Sequence, residues 1–306
     1  MTHSPKLLFS TRSYTYLQQK LLCHPGFGAG ETVVKKFPDG EIYQRILSNA
    51  DGRDAIIIGG TISDEDTLEL FDLACSVVNY GAASLTLVVP YFGYSTMERA
   101  VQQGEVVKAK SRAILFSAIP ETALGNKLVL MDLHSEGLPH YFEGALRAKH
   151  LYCKTIIIEA ARELGGDHFV LASTDAGRAK WVESLANDLG VNAAFVLKRR
   201  VQGNETQITA ISADVLGKKV VIYDDLIRTG GTLVEAAYAY KRAGANDISV
   251  IATHGLFVNN ALQRIRDCGI IRQVVCTDTH PNAIACEDGF LQVKTVSGLL
   301  QQELSA

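Results

Sequence analysis

The stretch KKVVIYDDLIRTGGTLVEAAYAYKRAGA, residues 218–245, decides how the rest of the chain is read. It opens on a β-branched apolar run, reaches Asp224 and Asp225, turns over Thr229–Thr232, and continues as an amphipathic helix from Leu233 to Ala243. The strand shows almost no polar alternation, as expected where helices cover both faces of a sheet. Each part of the turn has a chemical use. Gly230 and Gly231 let the backbone bend so that successive N–H groups at the helix start converge, and those donors together with the helix dipole suit a phosphate dianion. Thr229 and Thr232 add hydroxyls. The two carboxylates just before the turn can accept hydrogen bonds from vicinal sugar hydroxyls or orient a metal-bound water. Neither a G-x-x-x-x-G-K-[ST] loop nor a G-x-G-x-x-G at a strand–helix junction is present, which sets aside the two commonest nucleotide-binding loops.

The same strand–helix rhythm extends in both directions. Upstream, strand-like runs at Ala55–Gly60, Ser84–Val89 and Lys127–Asp132 alternate with helical patterns at Glu65–Tyr80 and Glu105–Ile119. Strands are expected downstream at Phe169–Ser173, Ala193–Lys198, Lys219–Tyr223, Ser249–Thr253 and Gln273–Thr277. Alternation of this kind builds βαβ units and parallel sheets, so the expected fold class is α/β, with ligands gathered at strand carboxyl ends. The 306 residues suffice for two such domains. A change from one series of units to the next near Arg147–Tyr152 divides the chain into 1–148 and 149–306.

A formal charge of -3 argues against a general nucleic-acid or anionic-membrane binder, so any phosphate binding is local. The six cysteines form no C-x-x-C pair and no metal-finger spacing, which reads as reduced thiols and a cytoplasmic protein. No apolar run approaches the ~18 residues of a membrane helix, and no apolar signal core follows the N-terminus; neither insertion nor export is expected.

Several further motifs stand in order along the chain: FPDGEIY at Phe37–Tyr43, PYFGYSTMER at Pro90–Arg99, MDLHSE at Met131–Glu136, STDAG at Ser173–Gly177, KRR at Lys198–Arg200 and THGLF at Thr253–Phe257. Together with the acidic pair and TGGT they resemble the ribose-phosphate pyrophosphokinase family. The resemblance covers most of the chain. It implies two phosphoribosyltransferase-like domains, each a mainly parallel sheet flanked by helices. It also implies transfer of the βγ-diphosphate of ATP to the anomeric hydroxyl of ribose 5-phosphate, with Mg2+ as cofactor. On that pattern Asp224, Asp225, Arg228, Thr229, Gly230, Gly231 and Thr232 would hold ribose 5-phosphate. Phe37, Asp39, Glu41, Glu98, Arg99 and His134 would face ATP, and His134 and Asp175 would be metal-associated. Lys198 and Arg200 would be the catalytic cations, carried on a loop that closes over substrate through VQGNETQ. The family's ATP site borrows from a neighbouring subunit, which implies a homo-oligomer built from dimers, up to a hexamer, with neither nucleic acid nor membrane as partner.

The chain departs from the family pattern at identifiable positions. Thr96, Met97 and Glu98 stand where Arg-Gln-Asp is usual, removing a cation and an amide from the nucleotide side. The usual SPDxGG followed by an arginine reads STDAGR here, with Arg178 at a glycine position and Trp181 where the arginine would fall. Arg228 replaces the last acid before TGGT, exchanging a hydroxyl acceptor for a guanidinium able to grip phosphate. Two alternatives therefore stay open beside the synthetase: a phosphoribosyltransferase, with nearly the same loop chemistry, and a catalytically silent relative that regulates an active enzyme.

Overall fold

The computed structural model describes residues 4–200 and 206–305, the side chains of 198–200 and 206–209 excepted. The chain forms two compact units, one reaching to Tyr152 and regaining the chain from Ser297 onward, the other spanning Cys153–Val296.

The first unit contains β1 (Lys6–Ser10), α1 (Thr15–Leu22), β2 (Phe27–Ala29), β3 (Thr32–Lys36), β4 (Ile42–Ile46), β5 (Asp54–Ile58), α2 (Asp64–Asn79), β6 (Ser84–Val89), α3 (Lys108–Ser117), β7 (Asn126–Met131) and β8 (Leu146–Leu151). Its main sheet runs β2-β1-β5-β6-β7-β8 and is parallel at every pairing, whereas β3 and β4 form a separate antiparallel hairpin. Residues of both pleat faces are buried: Leu7, Phe9, Ile57, Leu85 and Leu87 on one, Leu8, Ile56, Ile58 and Val88 on the other. Helices on both faces dictate those continuous apolar runs. The start of α2 follows local rules, since Ser63 accepts a hydrogen bond from the N–H of Asp66 and the first turn holds Asp64, Glu65 and Asp66 against the positive end of the helix.

The second unit contains α4 (Lys154–Gly165), β9 (Val170–Ser173), α5 (Ala179–Leu189), β10 (Asn192–Arg200), β11 (Thr206–Ile211), β12 (Lys219–Ile227), α6 (Gly231–Arg242), β13 (Asp247–Gly255), α7 (Ala261–Asp267), β14 (Ile271–Thr277), α8 (Pro281–Ala285) and β15 (Leu291–Lys294). Its sheet runs β11-β10-β9-β12-β13-β14-β15, parallel except for β11 against β10. The helix α4 packs on β12 and β13, α5 on β9 and β10, and α6 on β11 and β12.

Three expectations change. The stretch 297–306, expected in the second domain, belongs to the first unit: α9 (Ser297–Ser305) packs on α1, buries Leu300 and Leu304, and receives Lys6 Nζ on the carbonyl of Leu304 at 2.6 Å. The break itself falls after Tyr152 rather than after residue 148. The KRR segment does not follow its strand but continues it, because β11 returns antiparallel and pairs Lys198 with Ile208 and Arg200 with Thr206. Of VQGNETQ, residues 201–205 lie outside the described residues, as do the side chains of Lys198 and Arg200. No helix among the described residues is long and apolar enough to cross a membrane.

Candidate active site

The second sheet changes direction between β9 and β12. From β9 the chain moves outward to β10 and β11, then crosses back to β12 and proceeds the other way. Ligands of open α/β sheets bind beyond the strand carboxyl ends at such a switch point. The carboxyl ends of these two strands carry Thr174 and Asp175 on one side and Asp224 and Asp225 on the other.

Pairing explains why the space exists. β12 and β9 stay in register only as far as Tyr223 beside Ser173, whereas β12 and β13 remain paired through Asp224, Leu226 and Ile227. The acidic pair thus lies inside a strand that is longer than the expected Lys219–Tyr223, at the level where its other neighbour has already ended. Into that gap comes the segment after β9. Asp175 caps a single 3-10 turn, Ala176–Arg178, by accepting the N–H of Gly177 at 2.8 Å. The Thr174 hydroxyl donates to Asp224 Oδ2 at 3.0 Å, and the N–H of Asp225 donates to Asp224 Oδ1 at 2.9 Å. Arg178 forms an ion pair with Asp225, whose side chain is only 4% exposed. Enclosure by the protein, and then the neighbouring Asp225, push the Asp224 carboxyl well above the usual carboxylate range.

The turn after β12 is held from below. The carbonyl of Arg228 accepts the N–H of Val258, and Arg264 of α7 donates to the carbonyl of Thr229. Gly230 has φ 77°, a conformation that favours glycine, and a Cβ there would crowd the Ile265 side chain of α7 at 3.0 Å, which would have to shift. Arg228, Thr229 and Thr232 are exposed, and α6 begins at Gly231 without a capping side chain. The first N–H groups of such a helix have no intrahelical acceptor and face outward as anion donors. Acid pair, exposed hydroxyls and helix start therefore occupy one carboxyl-end region of one sheet.

The first unit shows the remaining candidates. Its own switch point, between β1 and β5, is filled: Gly60 is packed so closely by the Tyr14 ring that a Cβ would lie 2.3 Å from the hydroxyl, and Arg12 pairs with buried Glu69 at 2.9 Å. Phe37, Asp39 and Glu41 sit exposed on the β3–β4 hairpin, where Gly40 has φ 97°, Phe37 N–H donates to the Glu41 carbonyl at 2.8 Å, and Phe37 meets Tyr43 edge-on. Glu98 and Arg99 are 3.6 Å apart, and Tyr141 anchors the Glu98 carbonyl at 2.6 Å. His134 is exposed just past β7, beyond Asp132 with φ 36°, an uncommon conformation for a buried non-glycine residue. Asp132 is held there by its own N–H to the Leu151 carbonyl, and the next N–H, of Leu133, donates to His150 Nε2 at 2.9 Å. His134 thus belongs to the first unit and Asp175 to the second. Among the described residues no cluster of three His, Cys, Asp or Glu side chains is placed to hold a metal ion.

Two residues outside the expected set contact the acidic pair. The sequence gives Thr174 no role and marks Arg178 only as a departure from the family pattern, yet both reach the acidic pair. The available signal is position: Thr174 and Arg178 stand within one five-residue stretch around Asp175.

Parallel sheets flanked by helices, with an acidic pair and a glycine turn at the switch point, define an α/β protein of phosphoribosyltransferase-like fold. Residues 6–119 match the N-terminal domain of ribose phosphate pyrophosphokinase, and residues 174–302 match the phosphoribosyl synthetase-associated domain. The chain is 35% identical over 260 residues to a ribose-phosphate pyrophosphokinase of Thermococcus kodakarensis, covering 83% of this chain and 88% of the relative. It is 30% identical over 305 residues to one of Chromobacterium violaceum, covering 97% and 90%. A crystal structure of phosphoribosylpyrophosphate synthetase from Mycobacterium smegmatis superimposes with a TM-score of 0.88 at 25% identity, over 99% of this chain and 98% of that one. The chain belongs to the ribose-phosphate pyrophosphokinase family.

Proposed function

We propose that this protein is a ribose-phosphate diphosphokinase. The anomeric oxygen of ribose 5-phosphate attacks the β-phosphorus of ATP, the bond to the α-phosphate breaks, AMP leaves, and the anomeric hydroxyl loses its proton. The observation that carries this reading is the acidic pair at the β9–β12 switch point, directly ahead of the exposed start of α6. In this assignment Asp224 and Asp225 accept the sugar hydroxyls, while the N–H groups of Gly231 and Thr232, the hydroxyls of Thr229 and Thr232, and the Arg228 guanidinium receive the 5-phosphate.

Exposed Phe37 supplies an aromatic face for adenine, with Asp39 and Glu41 for its polar edge and Glu98, Arg99 and His134 on the nucleotide side. Lys198 and Arg200 meet the charge that grows on the transferred group. Asp175 and His134 are the metal-associated residues; Mg2+, when bound, supplies charge neutralisation on the diphosphate. A homo-oligomer assembled from dimers, acting in the cytoplasm, completes the reading; all six cysteines are free thiols, in keeping with that compartment.

Incubation of the purified chain with ATP, Mg2+ and ribose 5-phosphate decides the matter. Equal formation of AMP and phosphoribosyl pyrophosphate supports the synthetase. Absence of AMP in every assembly state overturns it, and product only with an added partner chain identifies a regulatory relative instead.

A further inference from the structure

Adjacent carboxylates at a sheet end can be arranged to wait for an outside cation, or the chain can supply the positive charge itself. Here the chain supplies it. Arg178 sits on Asp225 with its side chain only 19% exposed, while both oxygens of Asp224 already accept hydrogen bonds, from Thr174 and from the N–H of Asp225. Those two side-chain donors come from one short segment, rigidified by the 3-10 turn that Asp175 caps. Removing the partner of a buried carboxylate leaves an uncompensated charge, so the Arg178 pair is a persistent part of the site rather than a surface contact. A guanidinium also satisfies a carboxylate through planar N–H donors, whereas Mg2+ demands close octahedral oxygens, so the two cannot share the same Asp225 oxygen.

We propose that Arg178 is a positioning residue that acts as the resident cation of the acidic pair, so that Asp224 and Asp225 engage the hydroxyls of ribose 5-phosphate without a divalent cation at that end of the site. This rests on the reading of Asp224–Thr232 as the sugar-phosphate element, and it says nothing against Mg2+ on the nucleotide side.

The chain carries a reporter for the test: its single tryptophan, Trp181, lies three residues after Arg178 in α5. Ribose 5-phosphate is titrated into the full chain without ATP, once in EDTA and once in MgCl2, following Trp181 fluorescence and binding heat. The expected dissociation constants agree within about twofold for the native chain. Arg178→Ala is expected to weaken binding about tenfold in EDTA and to recover part of the loss in MgCl2, whereas Arg178→Lys keeps binding independent of Mg2+. Native binding that appears only with Mg2+ overturns the proposal and leaves the sugar-phosphate site standing. Failure to bind in either buffer overturns both. If Arg178→Ala does not fold by circular dichroism, the native comparison and Arg178→Lys decide.

Discussion

At the scale of single residues, the site depends on a few positions where backbone and side chain have no substitute. Gly230 is the clearest, because its φ of 77° strains any residue that carries a Cβ, and a Cβ there would also crowd the Ile265 side chain at 3.0 Å. Gly230→Ala is expected to destabilise the second unit by about 1–3 kcal/mol and to shift the start of α6, visible as a lower denaturant midpoint and a raised KM for ribose 5-phosphate. A midpoint equal to the native one would contradict the strain argument. Asp224→Asn keeps the size and one acceptor but loses the carboxylate; kcat/KM for ribose 5-phosphate is expected to fall about 10–100-fold, mainly through KM. A loss confined to kcat would place Asp224 on the reacting atoms instead of the sugar hydroxyls. Both residues were legible in the sequence, since glycine after two carboxylates has few uses. Arg178 was not, because which carboxylate an arginine reaches depends on where β9 ends beside β12, and that register is written in no local pattern.

At the scale of elements, the alternating apolar runs were legible to within a few residues, as Ser84–Val89 and Asp64–Asn79 show. Reading fell short where tertiary pairing overrides composition. Asp224 and Asp225 look like the end of a strand, yet β13 continues beside them to Gly255 and keeps β12 extended to Ile227. The KRR run looks like a solvated loop, yet β11 makes it strand. The β3–β4 hairpin is an element with little to bury, and Phe37 on it is 47% exposed. Phe37→Ala is therefore expected to change stability by less than about 0.5 kcal/mol while raising KM for ATP, a split that thermal melts and initial rates would separate.

The helix α8 gives a pH dependence. His280 caps it by accepting the N–H of Asn282 on Nδ1, which requires a neutral ring, and burial together with His254 lowers its pKa to about 4. The folded state therefore binds fewer protons than the unfolded chain between about 4 and 6.5, so this contribution is fully present above pH 6.5 and is lost as pH falls toward 4. It amounts to something on the order of 3 kcal/mol. His280→Gln is expected to flatten the fall in unfolding free energy between pH 7 and 4.5; an unchanged slope would assign that acid sensitivity to other groups.

At the scale of the whole molecule, the two units are not two consecutive halves. α9 closes the first unit through Leu300, Leu304, the Lys6 contact and a Lys149–Glu303 ion pair, although 144 residues of the second unit, Cys153–Val296, intervene. Deleting residues 297–306 is expected to strip hydrogen-exchange protection from β1 and α1 while β12 and β13 keep theirs. Uniform loss across both sheets would show instead that the segment supports the entire chain. No sequence pattern announces this return, because an amphipathic nine-residue helix names the kind of surface it needs and not which surface.

The return of α9 also fixes an order of events during synthesis. The ribosome delivers the second unit as one uninterrupted piece, with the switch-point site complete within it, before α9 of the first unit has been made. The part of the chain translated first is thus closed only after α9 has been made, and until then the face of α1 that α9 covers stands open on the nascent protein.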